Sequence, residues 1–116
     1  MDIYHAWFDL KEGVSDAELA THLATYMDHL KAGGKIAAWR LTRRKLGLAP
    51  AHLADFHLMI EVEGLAQLDA AFGEVSSRAG VVEGVHQAVN SRVKNAVFAL
   101  FRDFPDDTRR YGEERF

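Results

Sequence analysis

The sequence predicts an α+β domain in which a four-stranded antiparallel sheet carries two helices on one face. Three observations lead to this class. Four stretches show the period-two alternation of β-strands, and two others repeat apolar residues at helical spacing. Along the chain these stretches follow one another in the order strand, helix, strand, strand, helix, strand.

Length and composition are those of a single globular domain. The chain has 116 residues, of which 48% are hydrophobic and 27% charged. Its net charge of −3 gives no general attraction to nucleic acid or to an anionic membrane. Cysteine is absent, which excludes disulfides and thiolate metal sites. No signal-peptide pattern or bilayer-long apolar run is present, so we expect a cytoplasmic protein.

The first strand and the first helix occupy the N-terminal third of the chain. Residues Ile3 to Leu10 alternate between an apolar face and a face that mixes apolar and titratable groups. Ser15 and Glu18 have the spacing of a capping box, which marks the start of a helix. The apolar side of this helix is formed by Leu19, Leu23, Tyr26, Met27 and Leu30.

The second and third strands form a hairpin. They are predicted at Ile36 to Lys45 and at Asp55 to Glu63, with a Pro50-containing loop between them. In the third strand one face carries Phe56, Leu58, Ile60 and Val62, and the other carries His57, Met59, Glu61 and Glu63. We therefore expect this strand to lie inside the sheet, with helices on its apolar side.

The last part of the chain contains a helix, a shorter helix and a strand. Apolar spacing from Leu65 to Val75 predicts the second helix. Valines around His86 predict an extra short helix before the last strand. Val93 to Phe104 is almost continuously apolar, as expected for a strand buried on both faces. We expect one domain over residues 1–105 and a charged tail over residues 106–116.

This order of elements is that of the ferredoxin-like βαββαβ sandwich, in which the strands lie in the order 4-1-3-2. Its sheet has helices on one face only. Trp7, Met59 and either Phe98 or Phe101 would make the other face an exposed apolar patch. We therefore expect a homodimer in which two sheets pack face to face about a two-fold axis.

A family resemblance agrees with this expectation. It is carried by Asp2–Lys11, by Ile36–Leu48 with its Thr-Arg-Arg-Lys, by Asp55–Asp69 and by Val93–Asp106. Over nearly its whole length the chain resembles the dimeric α/β-barrel superfamily, and within it a small uncharacterised family. The resemblance implies the fold but transfers no catalytic residue. Other branches include cofactor-independent monooxygenases, haem-degrading enzymes, muconolactone-isomerase-like proteins and stress-response dimers.

The mixed faces of the first and third strands carry four catalytic candidates, His5, His57, Glu61 and Asp9. A register that places Trp7 opposite Met59 would bring each histidine to a carboxylate, His5 to Glu61 and His57 to Asp9. A carboxylate orients the imidazole ring and raises its pKa, as in many general bases.

Four further residues are candidates for substrate binding, namely Trp7, Arg40, Met59 and Thr42. Arg40 and Thr42 border the same space and would hold an anionic oxygen, while Trp7 and Met59 would form its wall. The sequence thus predicts a cavity for a small, partly apolar, anionic molecule. If the protein is an enzyme, cofactor-free proton transfer or oxygenation fits these groups best.

Several alternatives remain open. The titratable pairs could simply satisfy one another in a packed, non-catalytic interface. A haem would need His86 as its axial ligand. No metal site is expected, because His22 and His29 lie two helical turns, about 10 Å, apart. The basic run Arg43-Arg44-Lys45 is expected to protect a strand edge rather than to bind nucleic acid.

Overall fold

Four strands and two long helices follow one another in the predicted order in a computed structural model, which describes residues 1–76 and 88–105. The strands are β1 (Asp2–Leu10), β2 (Ala38–Arg43), β3 (Phe56–Val62) and β4 (Val93–Arg102). The helices are α1 (Asp16–Ala32) and α2 (Leu65–Ser76). Residues 88–90 are helical, in agreement with the extra short helix. The rest of the stretch predicted as the short helix, with His86, and the predicted charged tail lie outside the described residues.

The strands form one antiparallel sheet in the order β2-β3-β1-β4, which confirms the predicted ferredoxin-like topology. β3 lies inside the sheet, and its side chains alternate strictly between buried and half-buried, as predicted. β2 is shorter than its sequence pattern. Backbone N–H groups of Ala37 and Arg44 still donate to β3 and to Asp55, so the hairpin pairing extends one residue beyond each end.

The hydrophobic core lies between α1, α2 and one face of the sheet. Its most completely buried side chains are Leu19 and Leu23 of α1 and Val62 of β3. The Ser15 hydroxyl accepts the Glu18 N–H at 3.2 Å, so α1 begins where the capping pattern predicts. The Glu18 carboxylate does not return to Ser15. It accepts from Arg92 at 2.7 Å instead and ties α1 to the segment before β4.

β4 differs from its prediction. The apolar run led us to expect a strand buried on both faces, which is wrong for a single chain. β4 is an edge strand, and Phe98 and Phe101 are 58% and 60% exposed. A β-bulge also interrupts its pairing with β1, where Asn95 takes a left-handed conformation at φ 56°.

Candidate functional site

The face of the sheet opposite the helices, called the open face below, presents its side chains in rows that run across the strands. The strand register fixes three complete rows. They are Ala38, Glu61, Ile3, Phe101; then Arg40, Met59, His5, Ala99; then Thr42, His57, Trp7, Val97. Asp9 and Lys94 lie opposite each other at the end of the sheet. All eight predicted site residues therefore lie on one face.

The register between β1 and β3 is not the one that would pair histidines with carboxylates. Trp7 lies opposite His57, and Met59 lies opposite His5. The register with Trp7 opposite Met59 is thus wrong by two residues, and neither carboxylate–imidazole pair forms. A two-residue slip keeps every side chain on its own face, so the alternation pattern could not reveal it.

The two histidines contact each other instead. His5 Nδ1 and His57 Nε2 are 2.8 Å apart, which is a hydrogen-bond distance. The ring centroids are 5.1 Å apart and the ring planes differ by 21°. A ring nitrogen lies about 1.1 Å from the centroid of its own ring. The distance between the centroids therefore equals the N···N distance plus one such length for each ring, so the line that joins the two nitrogens runs almost through both ring centres. The rings therefore meet edge to edge and nearly coplanar, as an N–H···N hydrogen bond requires.

Two aromatic side chains enclose this pair. The Trp7 ring is nearly parallel to both imidazoles, 4.4 Å from the His57 centroid and 5.4 Å from the His5 centroid. Phe101 meets the His5 ring edge-on at 5.0 Å and 77°. An indole face attracts a cation, so it would stabilise a transient imidazolium without supplying a competing proton acceptor.

The surroundings keep both imidazoles neutral at neutral pH. Partial burial lowers the pKa of His5 below its ordinary 6.5. The pKa of His57 is lowered in the same way by burial and further by the charge that His5 would carry. With both rings neutral, one donates the shared hydrogen bond and the other accepts it.

The two predicted carboxylates have different surroundings. Asp9 accepts the Asp55 backbone N–H at 2.9 Å and the Asn95 amide at 3.2 Å. These hydrogen bonds hold the pKa of Asp9 below its usual value. Asp9 of β1 therefore holds Asn95 of β4 and the residue just before β3 at the end of the sheet. The Glu61 carboxylate makes no hydrogen bond or ion pair with any residue in the described part of the chain.

The predicted binding residues surround the histidines. Arg40 is exposed beside Met59 and makes no ion pair with a described residue. Thr42 donates from its hydroxyl to the His57 carbonyl at 3.3 Å. The neighbouring cations are occupied, since Arg43 binds Asp16 at 2.7 Å and Arg44 lies 3.4 Å from Asp55. Arg40 is thus the arginine of β2 that remains available to an anion.

Two of the hollows in the described part of the chain are well formed, and neither of these two is lined by His5 or His57. An apolar cavity of 380 Å³ lies between the helices and the sheet, with Tyr4, Leu23 and Phe72 in its wall. A polar groove of 800 Å³ lies at the Asp9 end of the sheet. Neither of these two hollows is the predicted cavity on the open face.

The described residues offer no metal site, and His86, the residue that a haem would need, lies outside them. Among residues 1–76 and 88–105, no three histidine or carboxylate side chains are placed to hold a metal ion. His22 lies 3.6 Å from Glu18, and His29 lies 3.3 Å from Glu74. No helix within these ranges is long and apolar enough to cross a membrane.

Sequence reasoning missed Asn95. Its side chain holds Asp9, and its positive φ absorbs the extra residue of the bulge in β4. Asparagine is one of the few non-glycine residues that readily adopt this conformation. A lone asparagine at the start of an otherwise apolar strand was the signal that could have identified it.

The single sheet with two helices on one face and an open face on the other defines a ferredoxin-like α+β protein. The comparison with family models identifies the family to which the chain belongs. Residues 1–116 match the model of DUF6614, a family of unknown function, so the chain belongs to that family. This confirms the predicted resemblance. Among curated proteins no match is found.

Solved structures are similar over most of the chain. A protein from Arabidopsis thaliana has a TM-score of 0.72 at 8% identity, covering 92% of this chain and 99% of its own. A dimeric ferredoxin-like protein of unknown function from Thermobifida fusca has a TM-score of 0.60 at 19% identity, covering 87% and 90%. A dimeric protein of unknown function from Bacteroides fragilis has a TM-score of 0.55 at 10% identity, covering 88% and 95%. Because these sequence identities are low, the structural similarity establishes the fold alone.

Proposed function

We propose that this chain forms a homodimer through the open face and binds a small, partly apolar, anionic molecule between the two sheets. The His5–His57 pair serves as the base in a cofactor-free proton transfer. The observation that carries the proposal is the imidazole pair, joined at 2.8 Å and stacked against Trp7, on the same face as the available Arg40.

The exposed apolar surface supports the dimer. Phe101 is 60% exposed and Val97 is 49% exposed, and both lie on the open face. A second copy would remove this surface from water and enclose the histidines on the side that a single chain leaves open. Two structurally similar proteins are themselves described as dimeric.

The residues of the open face indicate a ligand with one anionic part and one apolar part. Arg40 would bind a carboxylate or enolate oxygen, and Trp7 and Met59 would contact an apolar or aromatic part. A neutral imidazole would then remove a proton from a carbon next to a carbonyl group. Glu61 and Asp9, predicted as orienting groups, are replaced in this role, because each ring is oriented by the other.

The test of binding uses 3-phenylpropionate, an unreactive aromatic carboxylate, titrated into the purified protein by calorimetry. Arg40→Ala should weaken binding about 10-fold, the loss of one charge-assisted hydrogen bond. Arg43→Ala is the matched control, since it removes an arginine of the same strand that points to the other face. Wild-type protein that does not bind, or an equal loss in both variants, contradicts the proposal.

A non-catalytic dimer is the second candidate. It is favoured by one observation, that neither hollow of the single chain is lined by His5 or His57. Replacement of His57 by Ala separates the two functions. A binding site predicts weaker binding of 3-phenylpropionate, whereas a packed interface predicts a less stable dimer whose affinity for the ligand, measured on the remaining dimer, is unchanged.

A further inference from the structure

We infer that His5 and His57 act as a single one-proton unit, which accepts a proton on the β2 side of the pair and releases one on the β4 side. The natural substrate class of such a unit is an enolisable 2-oxo acid. This choice of substrate rests on the proposed function, whereas the one-proton unit rests on the geometry of the two rings alone.

The shared hydrogen bond fixes the state of the outer nitrogens. Each neutral imidazole has one N–H and one unprotonated nitrogen. If His57 donates from Nε2, its Nδ1 is free to accept a proton and His5 Nε2 carries a hydrogen. If His5 donates, these roles are reversed. In either arrangement the pair offers one base and one acid at opposite ends.

The two ends lie in chemically different places. His57 is on β3, and its Nε2 points to His5 on β1, so its Nδ1 lies on the β2 side, where Arg40 and Thr42 project. His5 uses Nδ1 in the pair, so its Nε2 lies on the β4 side, beside Phe101. An anion held by Arg40 would thus meet the pair at His57 Nδ1.

The proton transfer balances without a cofactor. The carbon acid gives its proton to His57 Nδ1 and becomes an enolate, the bridging proton moves from His57 Nε2 to His5 Nδ1, and His5 Nε2 gives its proton to water. Both rings are neutral again, with their tautomers exchanged. Protonation of the enolate by the reverse path restores the first arrangement.

The pair takes up only one proton because of the short distance between the rings. A singly protonated pair keeps the hydrogen bond and makes it charge-assisted. A second proton would remove the last acceptor and place two cations in contact. The charged groups that share the open face on the four strands are Arg40 of β2, Glu61 of β3, Asp9 of β1 and Lys94 of β4.

The one-proton unit can be tested in the free protein by NMR of ¹⁵N-labelled histidine side chains. We expect a coupling between the two bridging nitrogens across the hydrogen bond. On acidification both rings should respond with one shared midpoint. His22, which pairs with Glu18, serves as the independent internal reference. Absence of the coupling, or two rings that each gain a proton at separate midpoints, would overturn the unit.

The relay is tested by exchange of the C3 protons of phenylpyruvate in D₂O. His5→Gln keeps a hydrogen-bonding partner for His57 but cannot pass a proton on, so exchange should fall about 100-fold. His29→Gln is the control with unchanged exchange. Equal exchange in His5→Gln and wild type, or a wild type that binds 3-phenylpropionate without exchanging phenylpyruvate, overturns the relay. Failure of the proposed function is separate, since it appears as absence of 3-phenylpropionate binding.

Discussion

At the level of single residues, the protonation states of the open face follow from the nearest partner of each titratable group. His5 and His57 face each other and a parallel indole, so burial of the neutral rings lowers their pKa values. Asp9 lies on the same face, yet two hydrogen-bond donors hold it charged. One face of a sheet therefore carries bases that are neutral at pH 7 beside a carboxylate that is fixed.

The histidine pair makes stability depend on pH. The unfolded rings titrate near 6.5 and the folded rings titrate lower, so the unfolded state binds more protons as the pH falls. The free energy of unfolding contributed by the pair should be complete above 6.5 and decline below it. Urea unfolding is measured at about pH 7.5 and about pH 5.5, at one protein concentration. Between these two pH values the free energy of unfolding should decline less in the His5→Gln/His57→Gln double variant than in the wild type. An equal decline in both proteins would refute this assignment.

Asp9 is expected to contribute to stability rather than to chemistry. Asp9→Ala removes an acceptor from the Asp55 N–H and from Asn95, and should cost about 1 kcal/mol of unfolding free energy by urea titration. Glu61→Ala, on the same face and without a described partner, should change it by less than about 0.5 kcal/mol. A larger effect for Glu61→Ala would reverse the roles given to the two carboxylates.

At the level of elements, β4 combines an apolar sequence with an edge position. An edge strand leaves one row of backbone groups unpaired, and β4 adds exposed phenylalanines on both faces. Its bulge at Asn95 shifts the register with β1 by one residue, and the pairing resumes beyond it at Asp9 and Lys94. The bulge therefore separates the apolar part of the open face from its charged end.

The left-handed conformation of Asn95 can be tested by two substitutions. Asn95→Val places a β-branched residue at φ 56° and should lower the free energy of unfolding by about 2 kcal/mol. Asn95→Gly tolerates that φ and loses only the hydrogen bond to Asp9, so it should cost about 1 kcal/mol or less. Thermal unfolding with matched urea titrations measures both. If the two variants are equally stable, the bulge is not held in this conformation.

At the level of the whole molecule, the chain buries one face of its sheet and leaves the other open. The helices bury one face of β3 and the Ala6 and Phe8 side chains of β1, while the open face keeps aromatic, aliphatic and titratable side chains partly exposed. This arrangement is unfavourable for a monomer, because it leaves apolar surface in contact with water, and such surface favours association. The proposed dimer turns the same surface into an enclosed, partly apolar site.

Sedimentation should reveal the dimer and its interface. Phe101→Glu replaces an exposed apolar side chain of the open face by a charge, which removes the gain from burying it in a dimer, and should shift the protein to monomers at micromolar concentration. Leu48→Glu is the matched control, because Leu48 is 80% exposed in the loop between β2 and β3. It should leave the dimer intact. A monomeric wild type, or dissociation by Leu48→Glu alone, would contradict an interface on the open face.

The eight predicted site residues show what an alternating sequence pattern can predict and what it cannot. The alternation in β1 and β3 correctly placed His5, His57 and their neighbours on one face. It could not place them opposite one another, because every slip by two residues preserves the same alternation. In the structure, the two histidines therefore contact each other and not the predicted partners Glu61 and Asp9.

The sequence by itself determined the elements, their order and the face on which each side chain lies. These properties depend on local periodicity, on the Ser15 cap and on the topology that short connections allow. Only the tertiary structure decided the register of β1 against β3, the edge position of the apolar β4 and the bond between His5 and His57. Each depends on contacts between residues far apart in the chain, whose relative position local periodicity leaves undetermined.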